Sequence, residues 1–365
     1  MRKSFIALII SLLLLVLCLT AYYAWLSPNL NEGTIVVTDA LGRTVKIKMP
    51  VNKVIITGKS AWPITTVAYM FPNAKNVLYG LSASINVSLF QKIDPDLASK
   101  IVPTTELSVE EIAKAQPDVV ILKSTPSMKE LGDQLEGLGI NVVYVDFENL
   151  ESYIRDLKVL GKIFMDEERG EKLAKYYNET YNIIASKTKT LTESERKKVL
   201  FLYYSIKNGF QVPGSSWLQT FMIEAAGGYA LSKEVSGTGW NPVNFEHIAE
   251  WNPDIIFLVT YSNSPTSSMV KKQLLENATW NEISAIKSGM VYAFPDDCSV
   301  GALGSWDCPG SRWILGLEWM AKKICPELFS ELDIREETKR FYVEMYGLSQ
   351  SDAETIIGQI TGDFL

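Results

Sequence analysis

Five aromatic side chains lie in loops that follow predicted strands, a position in which α/β proteins bind ligands. These loops are rich in Gly, Ser and Pro, which is untypical of a buried core. Flat rings supply a large contact area at low entropic cost, so together they favour a ligand cleft. The alternative is that each ring packs over its own loop. The five residues are Trp62, Phe210, Trp217, Trp240 and Trp306.

Three cationic residues fall in or beside equivalent loops, namely Lys59, Lys123 and Arg312. Arg312 opens a predicted helix, where the helix dipole disfavours an arginine, so a role in ligand binding would explain it. We predict that Lys59 and Arg312 line the cleft with the aromatic residues. The alternative is that each is an ordinary solvated surface cation.

Signatures of an enzyme are largely missing from the chain. Its one histidine, His247, follows Glu246 on a helix predicted to be exposed, which leaves no His-rich metal site and no catalytic dyad beyond a single base. The sequence has no P-loop, no dinucleotide-binding glycine motif and no nucleophile elbow. Asp296, Asp297 and Asp307 could ligate a hard cation, but no spacing brings them together. We predict no catalysis, no resident metal and no cofactor.

Two segments share one pattern. Residues 108–118 and 244–254 each combine a short amphipathic helix with a Pro-Asp pair that ends it, and a continuous apolar run follows. Each helix carries a glutamate near its start, Glu110 in the first segment and Glu246 in the second. The repetition predicts two similar α/β lobes, each with an exposed glutamate at an equivalent place.

The surrounding pattern predicts the elements that position these residues. After a β-hairpin at 34–37 and 44–48, short apolar strands alternate with helices, which is typical of a mostly parallel sheet covered on both faces. Long helical periodicity from 151 to 187 predicts two helices, the second long enough to bridge two lobes. The predicted domains are a signal or anchor with its linker at 1–32, an N-terminal lobe at 33–165, an interlobe helix at 166–192 and a C-terminal lobe at 193–365.

Composition and the first residues bear on location. A net charge of −7 without a stripe of Lys and Arg argues against a nucleic-acid partner. Arg2 and Lys3 precede an apolar run from Phe5 to about Leu26, long enough to span a bilayer. The run is either a secretory signal or a retained anchor. We favour the anchor, which predicts an extracytoplasmic protein on the outer face of the cell membrane.

Three cysteines lie beyond this run. Cys298 and Cys308 bracket a Gly-rich loop and could close it as a disulfide, which would leave Cys325 unpaired. The alternative is three buried free thiols.

Four features of the sequence are informative when they are taken together. They are the opening hairpin with Asp39-Ala-Leu-Gly-Arg43, the paired Glu-x-Ile-Ala-x-x-x-Pro-Asp segments, the segment from Trp280 to Tyr292, and Pro326-Glu-Leu-Phe329 after a helix. Through these features the chain, from about Thr34 to Phe341, resembles the extracytoplasmic solute-binding proteins of ABC importers for iron-siderophores, haem and vitamin B12.

The resemblance implies two Rossmann-like lobes joined by one long helix, with a cleft for a metal chelate between them. It also implies that Glu110 and Glu246 dock into arginine pockets on the two permease subunits, and paired Arg–carboxylate contacts would fix the orientation of docking. In B12-binding members, ligand-contacting residues occupy the places of Trp240, Trp306 and Arg312. The sequence departs from the family in its poor lipobox and in its extension beyond Phe341.

From these observations we predict a monomeric binding protein that delivers a metal chelate, most simply an iron(III)-siderophore, to an ABC permease dimer. A corrinoid is the next candidate cargo, and an oxyanion such as molybdate or tungstate is the third. An enzyme of the metal-chelatase kind is the alternative from another class, and the single histidine argues against it.

Overall fold

Short buried strands alternate with helices throughout the computed structural model, which describes residues 33–59, 61–102, 107–237, 239–298 and 305–365. This arrangement confirms the predicted α/β class with mostly parallel sheets. The predicted membrane segment at 1–32 lies outside the described residues. Within the described ranges, no helix combines the length and the apolar character needed to cross a membrane.

The N-terminal lobe is built on a four-stranded parallel sheet with the order β4-β3-β7-β8. Its central strands are buried on both faces, as expected for a sheet covered by helices. The antiparallel hairpin β1-β2 precedes the sheet, and β5 pairs with β6 in parallel beside it. The elements in chain order are β1 Thr34–Thr38, β2 Thr44–Lys48, β3 Val54–Ile56, α1 Ala61–Ala68, α2 Ala74–Val77, β4 Leu78–Tyr79, β5 Leu81–Ser82, α3 Ser88–Ile93, α4 Leu97–Lys100, β6 Ile101–Val102, α5 Val109–Ala115, β7 Val119–Lys123, α6 Pro126–Gly137, β8 Val142–Val145 and α7 Leu150–Ile163.

One long helix, α8 (Glu167–Thr188), connects the two halves of the chain and has 22 residues. Asp166 precedes the helix and caps it, because its side chain accepts a hydrogen bond from the Arg169 amide. Gly161 of α7 and Gly170 of α8 meet so closely that a Cβ on either one would lie about 3.1 Å from the other's Cα. The missing side chains thus allow the two helices to pack tightly.

The C-terminal lobe is built on a six-stranded mixed sheet with the order β12-β10-β9-β13-β14, and β11 also pairs with β9. Strands β9, β11, β13 and β14 are parallel, whereas β10 and β12 form an antiparallel edge. The remaining elements are β9 Lys198–Ser205, β10 Gly209–Pro213, α9 Leu218–Ala225, β11 Tyr229–Ala230, β12 Trp240–Pro242, α10 Phe245–Trp251, β13 Ile255–Val259, α11 Ser267–Glu276, α12 Ser284–Lys287, β14 Val291–Ala293, α13 Trp313–Ile324, α14 Ile334–Tyr346 and α15 Gln350–Ile357.

Two predicted elements differ in the structure. The strand predicted at 77–81 is divided into β4 and β5, because Gly80 between them takes a positive φ of 68° that breaks an extended chain. The predicted loop at 209–214 is largely strand β10, which forms a hairpin with β9. Its Gly and Pro residues are typical of a turn, but Pro213 is the last residue of this strand and lies beyond the part that pairs with β9, so its missing N–H interrupts no hydrogen bond between those two strands.

The repeated segments form the same local structure in both lobes. Helices α5 and α10 each have seven residues, and a left-handed residue ends each of them, Gln116 with φ 51° and Asn252 with φ 44°. The aspartates that follow have the same role. The Oδ2 atom of Asp118 accepts a hydrogen bond from the Lys53 amide at 2.9 Å. The Oδ2 atom of Asp254 accepts one from the Lys198 amide at 2.8 Å. Each carboxylate therefore ties its helix–strand junction to the start of the neighbouring parallel strand.

The last two helices return to the N-terminal lobe. The Tyr346 hydroxyl donates to the Thr66 carbonyl at 3.0 Å, and Arg169 donates to the Met345 carbonyl at 2.6 Å. Lys92 of α3 pairs with Asp352 of α15. The predicted C-terminal lobe thus ends in helices that pack against the first lobe.

Candidate functional site

A cleft of about 670 Å³ lies where the strand-end loops of both lobes meet. The N-terminal lobe contributes residues at or after the ends of β3, β7 and β8. The C-terminal lobe contributes residues around the start of α9, at the start of β12, after β13, and between β14 and α13. This is the expected place for a ligand in an open α/β sheet. The lining residues are Trp62, Pro63, Lys123, Ser124, Thr125, Pro126, Asp146, Glu148, Trp217, Gln219, Gly239, Trp240, Tyr261, Cys308 and Pro309.

Three of the predicted aromatic residues come together in this cleft: Trp62, Trp217 and Trp240. The rings of Trp217 and Trp240 meet edge to face, with centroids 5.2 Å apart. Tyr261 joins them with its ring 6.1 Å from that of Trp240. All four side chains are partly exposed, so their rings form an accessible aromatic wall with room for a flat or apolar ligand.

Phe210 and Lys59 lie elsewhere. Phe210 lies on β10 and shares a face with Val212, since side chains alternate along a strand. Its ring packs on Tyr204 and Trp280 with centroids 5.0 and 5.2 Å away, in a separate hydrophobic cluster. Lys59 is exposed and is not among the residues that line the cleft. Lys59 does follow strand β3, as predicted, but its side chain is exposed to solvent instead of lining the cleft.

Trp306 and Arg312 are buried beneath the cleft loops rather than facing them. Trp306 is fully buried, and its indole donates to Asp297 Oδ2 at 3.2 Å. Arg312 is 3% exposed, and its Nε lies 2.8 Å from the same Asp297 oxygen. Because Gly316 allows α13 to approach the Trp306 carbonyl closely, the described part of this segment, from Ser305 onward, packs as core. The helix-opening position of Arg312 is explained by its pairing with Asp297.

Lys123 does line the cleft, together with two acids that sequence reasoning did not identify. Its ammonium donates to Glu148 Oε1 at 2.6 Å and to the Asp146 carbonyl. Glu148 Oε2 accepts a hydrogen bond from the Leu218 amide at 3.2 Å, at the start of α9 in the other lobe. Asp146 and Glu148 follow β8, so the strand-end rule that selected Lys123 would also have selected them.

A third acid, Asp307, lies buried behind the cleft wall. Its carboxylate accepts hydrogen bonds from Ser305 Oγ at 2.5 Å, Gln219 Nε2 at 3.0 Å and the Tyr261 hydroxyl. Burial raises the pKa of Asp307, and these hydrogen bonds partly offset the increase. The acid therefore orients Tyr261 and Gln219, two cleft residues whose roles were invisible in the sequence because their partner lies far along the chain.

The possible disulfide is not formed. The structure instead has three buried free thiols, as the alternative interpretation of the sequence predicted: Cys298, Cys308 and Cys325. Burial is the main cause that raises the pKa of the Cys298 and Cys308 thiols, and the adjacent aspartates raise it further. At neutral pH both are protonated and poorly nucleophilic.

The paired glutamates remain outside the cleft. Glu110 and Glu246 are exposed in the first turns of α5 and α10, at equivalent positions after the caps Ser108 and Asn244. His247, next to Glu246, is also exposed, and its ring lies 4.2 Å from that of Trp251. Among the residues that the structure describes, no group of three or more His, Cys, Asp or Glu side chains could hold a metal ion.

Comparison with known proteins identifies the class to which this fold and cleft belong. The model of the periplasmic binding protein family matches residues 74–298, and the chain belongs to that family. A solved periplasmic solute-binding protein from Veillonella parvula is 29% identical, with a TM-score of 0.70, and the match covers 89% of this chain and 97% of that one.

Two relatives of known cargo also match. The molybdate-binding protein MolA of Haemophilus influenzae is 22% identical over 338 residues, which cover 86% of this chain and 91% of MolA. The petrobactin-binding protein YclQ of Bacillus subtilis is 23% identical over 223 residues, which cover 59% of this chain and 67% of YclQ. The chain is therefore a solute-binding protein of the ABC-importer class, and the prediction that it is not an enzyme is confirmed by this membership. Its relatives are periplasmic or extracytoplasmic.

Proposed function

We propose that the protein captures a metal chelate of the iron(III)-siderophore type outside the cell and delivers it to an ABC permease. The observation that carries the proposal is the convergence of Trp62, Trp217 and Trp240 from two lobes on one cleft of about 670 Å³. A volume of that order suits an organic chelate, and aromatic rings suit its ligand groups. The petrobactin-binding relative supports the same class of cargo.

The proposal assigns the docking surface to Glu110 and Glu246. Both are exposed and have equivalent positions on the repeated helices. Two similar lobes that meet two similar permease subunits explain why the segment occurs twice. The proposal also attaches the protein to the membrane through residues 1–32, so that delivery occurs at the outer face.

A molybdate-type oxyanion is the second candidate cargo, and the relationship to MolA favours it. A corrinoid is the third, favoured by the tryptophan wall. The three cargoes differ in size, charge and metal, so one binding experiment separates them.

The experiment is a titration of the purified protein, followed by quenching of tryptophan fluorescence. Ferric trihydroxamates, ferric tris-catecholates, haem, cobalamin, molybdate and tungstate are the probes, and elemental analysis identifies any metal retained from the cell. We expect nanomolar to low-micromolar affinity for at least one ferric chelate. Tight binding of molybdate or cobalamin with no response to ferric chelates would replace the proposed cargo, and no response to any probe would refute the proposal.

A further inference from the structure

We infer that Glu148 serves as a built-in counter-anion, which makes the cleft selective for chelates that carry no net negative charge. The inference rests on the proposed function and narrows its cargo by charge. It starts from the position of one carboxylate that bridges the two lobes.

Glu148 occupies two places along the described cleft lining that would attract an anion. One place is the ammonium of Lys123, which is 7% exposed and lies 2.6 Å from Glu148 Oε1. The other is the start of α9, where the Leu218 amide donates to Glu148 Oε2 at 3.2 Å. The N-cap residue Trp217 supplies no side-chain hydrogen bond, so the carboxylate provides the acceptor that this helix terminus needs.

The backbone holds Glu148 in this place. Phe147, just before it, has a left-handed φ of 61°, which is costly for a residue with a large side chain. The fully buried Asp156 stabilises that turn, because its Oδ2 accepts from the amides of Asp146 and Phe147 at 2.6 and 3.1 Å. The carboxylate of Glu148 is therefore presented by an ordered turn.

The other charges of the cleft reinforce the effect. Of the described residues that line the cleft, Lys123 is the one basic side chain, whereas two are acidic, Asp146 and Glu148. An anionic cargo that approaches Lys123 would have to displace Glu148 or lie beside the carboxylates of Asp146 and Glu148, and both cost free energy in a partly desolvated site. Tryptophan and tyrosine faces, by contrast, favour neutral or cationic groups.

The test compares ferric chelates of similar size and different charge on the wild-type protein and on Glu148→Gln. The probes are a trihydroxamate with a free ammonium group, an uncharged trihydroxamate and a triply negative tris-catecholate. We expect the wild type to bind the anionic chelate at least about tenfold more weakly than the better of the other two. In Glu148→Gln, which leaves Lys123 without its counter-charge, we expect affinity for the anionic chelate to rise about tenfold or more.

The matched control is Glu151→Gln, which removes the same charge from an exposed position in the first turn of α7 and should change none of the affinities. Wild-type affinities that do not depend on chelate charge, or that favour the anion, would overturn the inference and leave the proposed function intact. This readout needs no variant, so a poorly folded Glu148→Gln protein would not prevent it. If no chelate of any charge binds the wild type, the proposed function fails and the inference fails with it.

Discussion

Asp297 and Arg312 form an ion pair in which both side chains are buried, with Oδ2 and Nε 2.8 Å apart. The same carboxylate also accepts hydrogen bonds from Trp306 and Tyr342. The pair therefore organises the core beneath the cleft, and its role is in stability rather than in contact with cargo.

Asp297→Asn should lower the free energy of unfolding by about 3–5 kcal/mol, because it removes the negative charge from a buried ion pair. Denaturant unfolding measures the change. The matched control is Asp133→Asn, which breaks an exposed pair with Lys129 and should cost less than about 1 kcal/mol. Equal effects of the two substitutions would contradict the structural role of the buried pair.

Trp217→Ala and Trp240→Ala should each weaken binding of the cargo by about 2 kcal/mol or more, because each removes a ring from the cleft wall. Titration calorimetry with the chelate that binds the wild type gives the measurement. Phe210→Ala is the control, since that ring packs in the separate cluster with Trp280. Phe210→Ala should reduce the stability of the protein and leave its affinity for the cargo unchanged. A loss of affinity in this variant would show that Phe210 contributes to the binding site.

Reversal of both docking glutamates, Glu110→Lys with Glu246→Lys, should abolish transport while the affinity for cargo stays within a few-fold. The two side chains are exposed and are not among the residues that line the cleft, so we expect the change to act on the proposed docking surface. Uptake by cells and binding by the purified protein are measured in parallel. The double variant Glu168→Lys with Glu179→Lys carries the same charge change on the exposed side of α8, and transport should survive it. If transport also survives Glu110→Lys with Glu246→Lys, the repeated segment has a purely structural role.

Glu318 should make the protein less stable as the pH rises. Burial raises its pKa from 4.5 to about 8, the nearby Glu337 adds to the increase, and Arg340 opposes it. The folded state therefore holds a proton between about pH 4.5 and 8 that the unfolded state releases, so the free energy of unfolding falls across this range.

Glu318→Gln should flatten that dependence, with a gain on the order of a few kcal/mol at the alkaline end. Denaturant midpoints recorded across the same range provide the check, with Glu179→Gln on an exposed surface as the control. A wild-type stability that rises with pH in this range, and rises equally in Glu318→Gln, would show that this acid is not protonated in the folded protein.

Local patterns predicted much of the fold and part of the site. The Pro-Asp junctions at Asp118 and Asp254 are specified by residues close in sequence, and so is the placement of Trp62 and Trp217 after strands β3 and β10. Trp306 and Arg312 were misjudged because a loop rich in Gly, Ser and Pro usually faces solvent. Their burial depends on Asp297 and on helices that pack over them, and such long-range packing leaves no local signal.

The contact between Tyr346 and Thr66 joins residues 280 positions apart, and that between Lys92 and Asp352 joins residues 260 apart. A nascent chain that has not yet produced α14 and α15 would hold a first lobe whose surface around Phe90 is still uncovered, since the Phe90 ring packs against that of Tyr346. Closure of such long loops comes late in folding. The N-terminal lobe is therefore synthesised first, but its packing is completed last. We expect the two lobes to fold together as one cooperative unit, and not one after the other.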